Sequence, residues 1–78
     1  DADKQSIVVQ ITNRDRIRIR GRDIDFRAVR ANIERLHAEN PDAPVVVQPH
    51  PDSTTETMIH VMDSARQAGV YAVSIAAT

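Results

Sequence analysis

The chain has 78 residues, enough for one small domain that buries about 60–65% of its unfolded surface. It contains no Cys and only 3% aromatic residues, which excludes disulfide bonds, thiolate chemistry and an aromatic platform for single-stranded nucleic acid. No apolar run in the sequence approaches the roughly 20 residues that a membrane-spanning helix needs.

Charge divides unevenly between the two halves of the chain, although the net charge is −1. Residues 1–36 hold nine Lys/Arg and six Asp/Glu, a net of +3, whereas residues 37–78 hold one Arg and five Asp/Glu, a net of −4. This balance falls short of the strongly basic surface of a nucleic-acid-binding domain. We therefore expect no nucleic acid partner, and we expect the arginines to cover one exposed face of a sheet.

The first predicted elements are a polar linker end over residues 1–6 and two strands. Residues 7–12 are rich in β-branched side chains, which predicts a strand, and residues 13–15 predict a turn. In residues 16–20 isoleucine alternates with arginine, so that Ile17 and Ile19 face a core. The side chains expected to face away from that core are Arg16, Arg18 and Arg20. Gly21 is expected to end the second strand.

A helix is predicted next, capped by Asp23 or Asp25. Its apolar stripe repeats at spacings of three and four residues and consists of Phe26, Val29, Ile33 and Leu36. On its exposed side, ion pairs are expected between Arg30 and Glu34 and between Arg35 and Glu39. The helix is expected to stop at Asn40, because the residue before a proline is pushed out of the helical region.

The second half predicts an interior strand over residues 43–48, a rigid loop, and a second helix. Ser53 and Glu56 have the spacing of a capping box at the start of that helix. Its apolar face is expected to comprise Met58, Val61, Met62 and Ala65. Gly69 is expected to end the helix in the left-handed conformation. Residues 70–77 predict the last strand, with Tyr71, Val73 and Ile75 on its apolar side.

The predicted order is therefore β-β-α-β-α-β. Right-handed crossovers that step across the sheet in one direction place both helices on the same face. We predict an α/β two-layer sandwich, with a mixed sheet, both helices on one face, one open sheet face and at least one free edge. Such an edge offers unpaired backbone groups to an added strand, which makes strand addition the expected mode of recognition.

Residues that could carry catalysis or bind a metal form no recognised pattern. His37, His50 and His60 match no zinc signature, and they are interpreted as surface residues. His50, Ser53 and Asp63 lack a nucleophile elbow, and Ser53 is better used as a helix cap. With only two glycines, the chain has no phosphate-cradling loop. We predict no enzyme activity, no cofactor and no metal.

The second half resembles the periplasmic domain of the ExbD/TolR family. The resemblance rests on Val45-Val46-Val47, on residues 56–63, in which Val-Met-Asp stands out, and on Gln67-Ala68-Gly69-Val70 followed by a short strand. The Val-Met-Asp and Gln-Ala-Gly segments make it closer to ExbD than to TolR. The first half matches in layout, so that the resemblance spans about residues 7–77, within a single domain predicted over residues 7–78.

The resemblance implies a homodimeric periplasmic domain of an inner-membrane protein. Such a domain belongs to a motor, driven by the proton-motive force, that energises a TonB-like protein for outer-membrane transport. The motor's ExbB-like channel protein is expected to be contacted through a membrane helix outside these 78 residues. Partner or subunit contact is expected at Tyr71, Val73 and Ile75, and otherwise at the face of Arg16, Arg18 and Arg20.

Two other functions remain open at this stage. A TolR-like domain would associate with peptidoglycan and could use the arginines of the second strand. A small-molecule-binding regulatory domain would hold its ligand between subunits, although the sequence lacks the Gly-rich turn that usually admits a ligand to the backbone.

Overall fold

A computed structural model describes residues 6–76 of the chain. The elements in chain order are β1 (Ile7–Ile11), β2 (Ile17–Ile19), β3 (Arg22–Ile24), a 3₁₀ turn (Phe26–Ala28), α1 (Val29–Glu39), β4 (Val45–Pro49), α2 (Thr55–Gln67) and β5 (Val73–Ile75). The strands form one sheet in the order β3-β2-β1-β4-β5. β1 pairs in parallel with β4, and β4 with β5, whereas β1–β2 and β2–β3 are antiparallel.

The predicted fold class is confirmed: a mixed sheet is packed against two helices. Alternate residues of the central strand β1, namely Ile7, Val9 and Ile11, are buried in the same cluster as residues of α1 and α2. Burial alternates in this way because successive side chains of a strand point to opposite faces. The core therefore lies on one side of the sheet, as the sequence pattern predicted.

The sequence reading missed one strand, so the observed order is β-β-β-α-β-α-β. Arg20 and Gly21 form a two-residue turn in which both residues have positive φ, +54° and +79°. This turn returns the chain as β3, whose Asp23 lies opposite Arg18. Asp23 therefore caps no helix, and α1 begins at Val29, later than expected.

Three more expectations about the first helix are wrong. Asp25 caps only the 3₁₀ turn, where its carboxylate accepts the Arg27 N–H at 2.8 Å. Because Phe26 lies in that turn and not in α1, it stays 47% exposed instead of joining the core. The expected ion pairs on α1 are not formed. Within residues 6–76 the ion pair that an arginine or lysine forms is Arg18–Asp23.

The ends of the helices agree better with the sequence. α1 stops before Asn40, and Gly69 takes φ +99° after α2, as predicted. The N-cap of α2 is Thr54 and not Ser53, because the Thr54 hydroxyl accepts the Thr57 N–H while Ser53 donates to the His50 carbonyl. β5 is shorter than predicted and leaves Tyr71 outside the strand.

The core makes a stability prediction. Ile33 in α1 and Val61 in α2 are fully buried, so Ile33→Ala and Val61→Ala should each lower the free energy of unfolding by about 2–5 kcal/mol. Chemical denaturation at 25 °C measures the change. Ile59→Ala is the matched control, since Ile59 is 51% exposed on α2 and its loss should cost no more than about 0.5 kcal/mol. Parent-like unfolding of both core variants would show that the helix faces are assigned wrongly.

A second prediction concerns Asp15, which joins the β1–β2 turn to α2. Its carboxylate accepts the Thr54 N–H at 2.7 Å, and its φ is +59°. Asp15→Ala should lose about 2 kcal/mol of stability, about half from the hydrogen bond and half from a left-handed alanine. Asp15→Asn keeps the acceptor and tolerates this φ, so thermal unfolding should place it near the parent. Equal losses in both variants would contradict this account.

Candidate functional site

The free edge strand β5 is positioned by the end of α2. Gly69 reverses the chain in the left-handed conformation, and the Val70 N–H donates back to the Ala65 carbonyl at 3.0 Å. Val70 is buried and anchors the turn, after which β5 runs parallel to β4 at the edge of the sheet. The position of this edge is therefore set by the packing of α2.

The backbone of β5 presents hydrogen-bonding groups away from the sheet. The Ala72 carbonyl accepts from the Val45 N–H at 2.9 Å, and the Ala76 N–H donates to the Val47 carbonyl at 2.8 Å. Peptide groups alternate in direction along a strand, so the groups of the odd-numbered residues point to the free side. The groups that face outward are the carbonyls of Val73 and Ile75 and the N–H of Ile75.

Apolar side chains flank this edge on the helix side of the sheet. Val73 packs against the core, whereas Ile75 is 48% and Tyr71 82% exposed. Ile75 and Met58 of α2 line a common cavity of about 320 Å³ at the end of the strand. An extended segment laid along β5 would thus meet backbone groups and apolar surface together.

The three arginines around β2 differ in their surroundings. Arg18 lies in the strand, where its Nε is 3.2 Å from Asp23 Oδ1 and its Nη2 donates to the Gly21 carbonyl. Arg16 precedes β2 and borders a cavity with Asp15, Asp23 and Asp25, and Arg20 occupies the turn after it. Because Arg18 is paired with Asp23, it is less available to bind an anion than the sequence suggested. The ion pair is half-exposed and contributes at most about 1 kcal/mol to stability.

The sheet face opposite the helices carries polar and half-buried apolar side chains. The Gln10 side-chain amide donates to Gln48 Oε1 at 3.4 Å, in the same row of the sheet as Arg18. Val8 and Val46 lie half-buried in the neighbouring row. A cavity of about 320 Å³ on this face is bordered by Gln10, Thr12, Arg18 and Gln48, so it offers amide, hydroxyl and guanidinium groups.

The structure brings no catalytic set together among residues 6–76. The Ser53 hydroxyl donates to the His50 carbonyl at 2.6 Å, so its proton is directed away from an imidazole. His50 Nδ1 accepts the Asp52 N–H at 3.0 Å. No group of three or more His, Cys, Asp or Glu in the described chain could hold a metal ion.

The other two histidines are used in packing. The His60 ring stacks on Phe26 with centroids 3.7 Å apart, and its Nε2 lies 3.0 Å from the Phe26 carbonyl. His37 packs against Gly69, where an added Cβ would meet its ring at 3.6 Å. Its buried Nδ1 has no hydrogen-bond partner within residues 6–76.

Sequence reasoning missed β3 and the surface that it creates. The signal was present: a Gly-ended pair, Arg20-Gly21, separates two short segments that alternate polar and apolar residues. The stack of Phe26 on His60 had no such signal, because it joins residues 34 positions apart.

Sequence comparison relates the chain to known proteins. The sequence profile of the family described as "Biopolymer transport protein ExbD/TolR" matches residues 1–78. The chain is 38% identical over 71 residues to the "Biopolymer transport protein exbD2" of Vibrio cholerae serotype O1. The match covers 91% of this chain and 53% of the relative, so the chain spans about half the length of that protein. Among residues 6–76, no helix has the length and apolar character needed to cross a bilayer. The profile match and the identity to a curated relative together show that the chain belongs to the ExbD/TolR family.

Proposed function

We propose that this chain is the periplasmic domain of an ExbD-like inner-membrane protein. It belongs to a motor, driven by the proton-motive force, that energises a TonB-like protein for transport across the outer membrane. Its part in the motor is recognition and not catalysis. An ExbB-like channel protein is the partner of the membrane-embedded part. Family membership and the identity to a biopolymer transport protein support this role.

The domain binds an extended segment of the TonB-like partner by strand addition to β5. The observation that carries this proposal is the pattern of backbone bonds. Ala72 and Ala76 are bonded to β4, which turns the Val73 carbonyl and both backbone groups of Ile75 outward, whereas the Val73 N–H donates to the Tyr71 carbonyl at 3.1 Å. Unpaired edge groups of this kind recruit strands.

Side chains at the edge give the added strand a preferred character. Ile75 and Met58 present apolar surface on the helix side of the edge, and the exposed ring of Tyr71 lies just before the strand. Alternate residues of a bound strand would point toward this surface, so a segment with apolar residues at every second position fits best. A second copy of the chain is the other candidate for the same edge, since an edge strand can pair with its own copy about a twofold axis.

Substitution of Ile75 tests strand addition directly. Ile75→Pro removes the outward N–H but leaves the β4–β5 bonds of Ala72 and Ala76, because proline is tolerated on an edge strand when its nitrogen faces solvent. Peptides from the periplasmic segment of the TonB-like protein should bind this variant about tenfold more weakly. Amide chemical shifts during titration measure affinity and locate the contact.

Ile75→Val is the matched control, since it keeps the N–H and a branched apolar side chain. It should bind the peptides almost as tightly as the parent. Shifts should concentrate at residues 73–75 and at their β4 partners, residues 45–47. Absence of shifts along β5 at millimolar peptide would refute strand addition at this edge. Sedimentation of the same variants separates peptide binding from pairing of two copies.

A TolR-like association with peptidoglycan is the second candidate function. The cavity on the open sheet face favours it, because Gln10, Thr12 and Gln48 offer the polar groups that glycans and stem peptides would bind. Arg18→Glu should then reduce co-sedimentation of the domain with purified sacculi several-fold. Arg30→Glu is the control, because it makes the same change of charge at an exposed position of α1. Equal retention of both variants and the parent would exclude this face.

A further inference from the structure

The edge of the sheet opposite β5 carries a second surface that the proposed function does not use. There, β3 packs beside α1 and the two elements enclose a cavity of about 260 Å³. Three arginines line it, namely Arg20, Arg22 and Arg35, together with Asn32 and the apolar residues Ile19, Ile24 and Leu36. Arg20, at the corner of the sheet, also lines a cavity with Val8 and Gln10 on the open face. We call this cavity the arginine cleft.

The register of the hairpin explains why arginines reach the helix side of the sheet. Arg22 lies opposite Ile19, which is buried, so both side chains point toward α1. Arg35 enters from α1 and is oriented by a short chain of hydrogen bonds. Its Nη2 donates to Asn32 Oδ1 at 3.3 Å, and the Asn32 amide donates to the Ala28 carbonyl at 2.8 Å.

None of these arginines is neutralised within the described part of the chain. The ion pair that an arginine forms within residues 6–76 is Arg18–Asp23, and it involves none of Arg20, Arg22 and Arg35. Glu34 and Glu39 on α1 lie near in sequence but form no ion pair with Arg35. Three like charges around one cavity repel each other, which makes the cleft unfavourable for folding and favourable for an anion.

The backbone conformation of Arg20 is a second, independent indication that its side chain has a function. Its φ is +54°, and it precedes Gly21 in a two-residue hairpin turn. Such turns favour Asn, Asp or Gly at that position, because other residues are strained in the left-handed region. An arginine there costs stability without filling the core, since its side chain is exposed. Strain retained at an exposed position points to a function of the side chain.

We propose that the arginine cleft binds an acidic segment of a partner polypeptide, in which carboxylates flank an apolar side chain. The carboxylates pair with the three guanidinium groups, and the apolar side chain covers Ile24 and Leu36. The cleft is bordered by Asn32, Arg35 and Leu36 and not by the N-terminus of α1, so it lacks the backbone N–H groups of a phosphate cradle. Inorganic phosphate would also make no favourable contact with the apolar side chains of Ile24 and Leu36.

The test uses the 78-residue chain and the peptide acetyl-Glu-Glu-Leu-Glu-Glu-amide. Binding should shift the Nε–Hε resonances of Arg20, Arg22 and Arg35, with a Kd of about 1 mM or tighter at low salt. Affinity should fall several-fold at 0.3 M NaCl because exposed charges are screened. The peptide with Gln in place of every Glu should not bind. Equal binding of the Gln peptide, or stronger binding of inorganic phosphate at the same arginines, would overturn the proposal.

Variants separate the cleft from the rest of the surface. Arg22→Gln with Arg35→Gln should weaken peptide binding about tenfold, whereas Arg30→Gln, which removes an exposed arginine outside the cleft, should leave it unchanged. An unchanged Kd in the folded double variant would overturn the assignment. Ile75→Pro should not affect this peptide, so failure here is distinguishable from failure of strand addition at β5.

Arg20→Asn gives a readout that a structural role for Arg20 would not produce. Asparagine suits the left-handed turn, so the melting temperature should rise by about 3 °C while peptide affinity falls about threefold. A lower or unchanged melting temperature would show that Arg20 supports the fold, and would overturn its assignment to the cleft. If the variant is more stable but binds the peptide as tightly as the parent, Arg20 is not part of the binding site.

Discussion

The fold depends on burying both helices against one face of the sheet, with β1 at its centre. Ile7, Val9 and Ile11 lie beneath the helices and are fully or almost fully buried. β1 is also the strand where parallel and antiparallel pairing meet, since it bonds to β4 on one side and to β2 on the other. A domain of this size buries little apolar surface in total, so a change in the face or register of β1 would expose much of its core. The position of β1 therefore constrains every other element.

One-sided burial leaves the sheet with two edges and one uncovered face, and these differ in chemistry. The β5 edge combines outward backbone groups with apolar side chains, a combination suited to main-chain recognition. At the opposite edge, three arginines and three apolar residues line one cavity between β3 and α1, a combination suited to recognition by charge. The uncovered face is polar, with Gln10 and Gln48 bonded to each other. The three surfaces of this small domain therefore differ in the chemistry that they offer to a partner.

Local strain is concentrated in the turns that shape these surfaces. Asp15 and Arg20 both have positive φ, but the reasons differ. Asp15 receives a hydrogen bond from the start of α2, which offsets its strain and ties the β1–β2 turn to the helix layer. No comparable bond compensates Arg20 within the described residues, while its side chain borders the arginine cleft. The first residue serves the fold, and the second is better explained by recognition.

The sequence by itself determined the α/β class, both helices, the central strands and the family resemblance, because each depends on periodicity or on local motifs. β-branched composition identified β1, alternation identified β2, and Asn40 and Gly69 marked the ends of the helices. Only the tertiary structure decided the features that depend on pairing between distant residues. The Arg20-Gly21 turn was visible in the sequence, but only the structure shows that the residues after it pair with β2 as β3, with Asp23 opposite Arg18. Phe26 follows this strand and is stacked on His60. The distribution of charge along the sequence likewise shows that the first half is basic. It does not show that Arg18 is paired with Asp23, or that Arg20, Arg22 and Arg35 converge on one cavity. Convergence of this kind depends on strand register and helix placement, which the packing of the core sets and which no local pattern records.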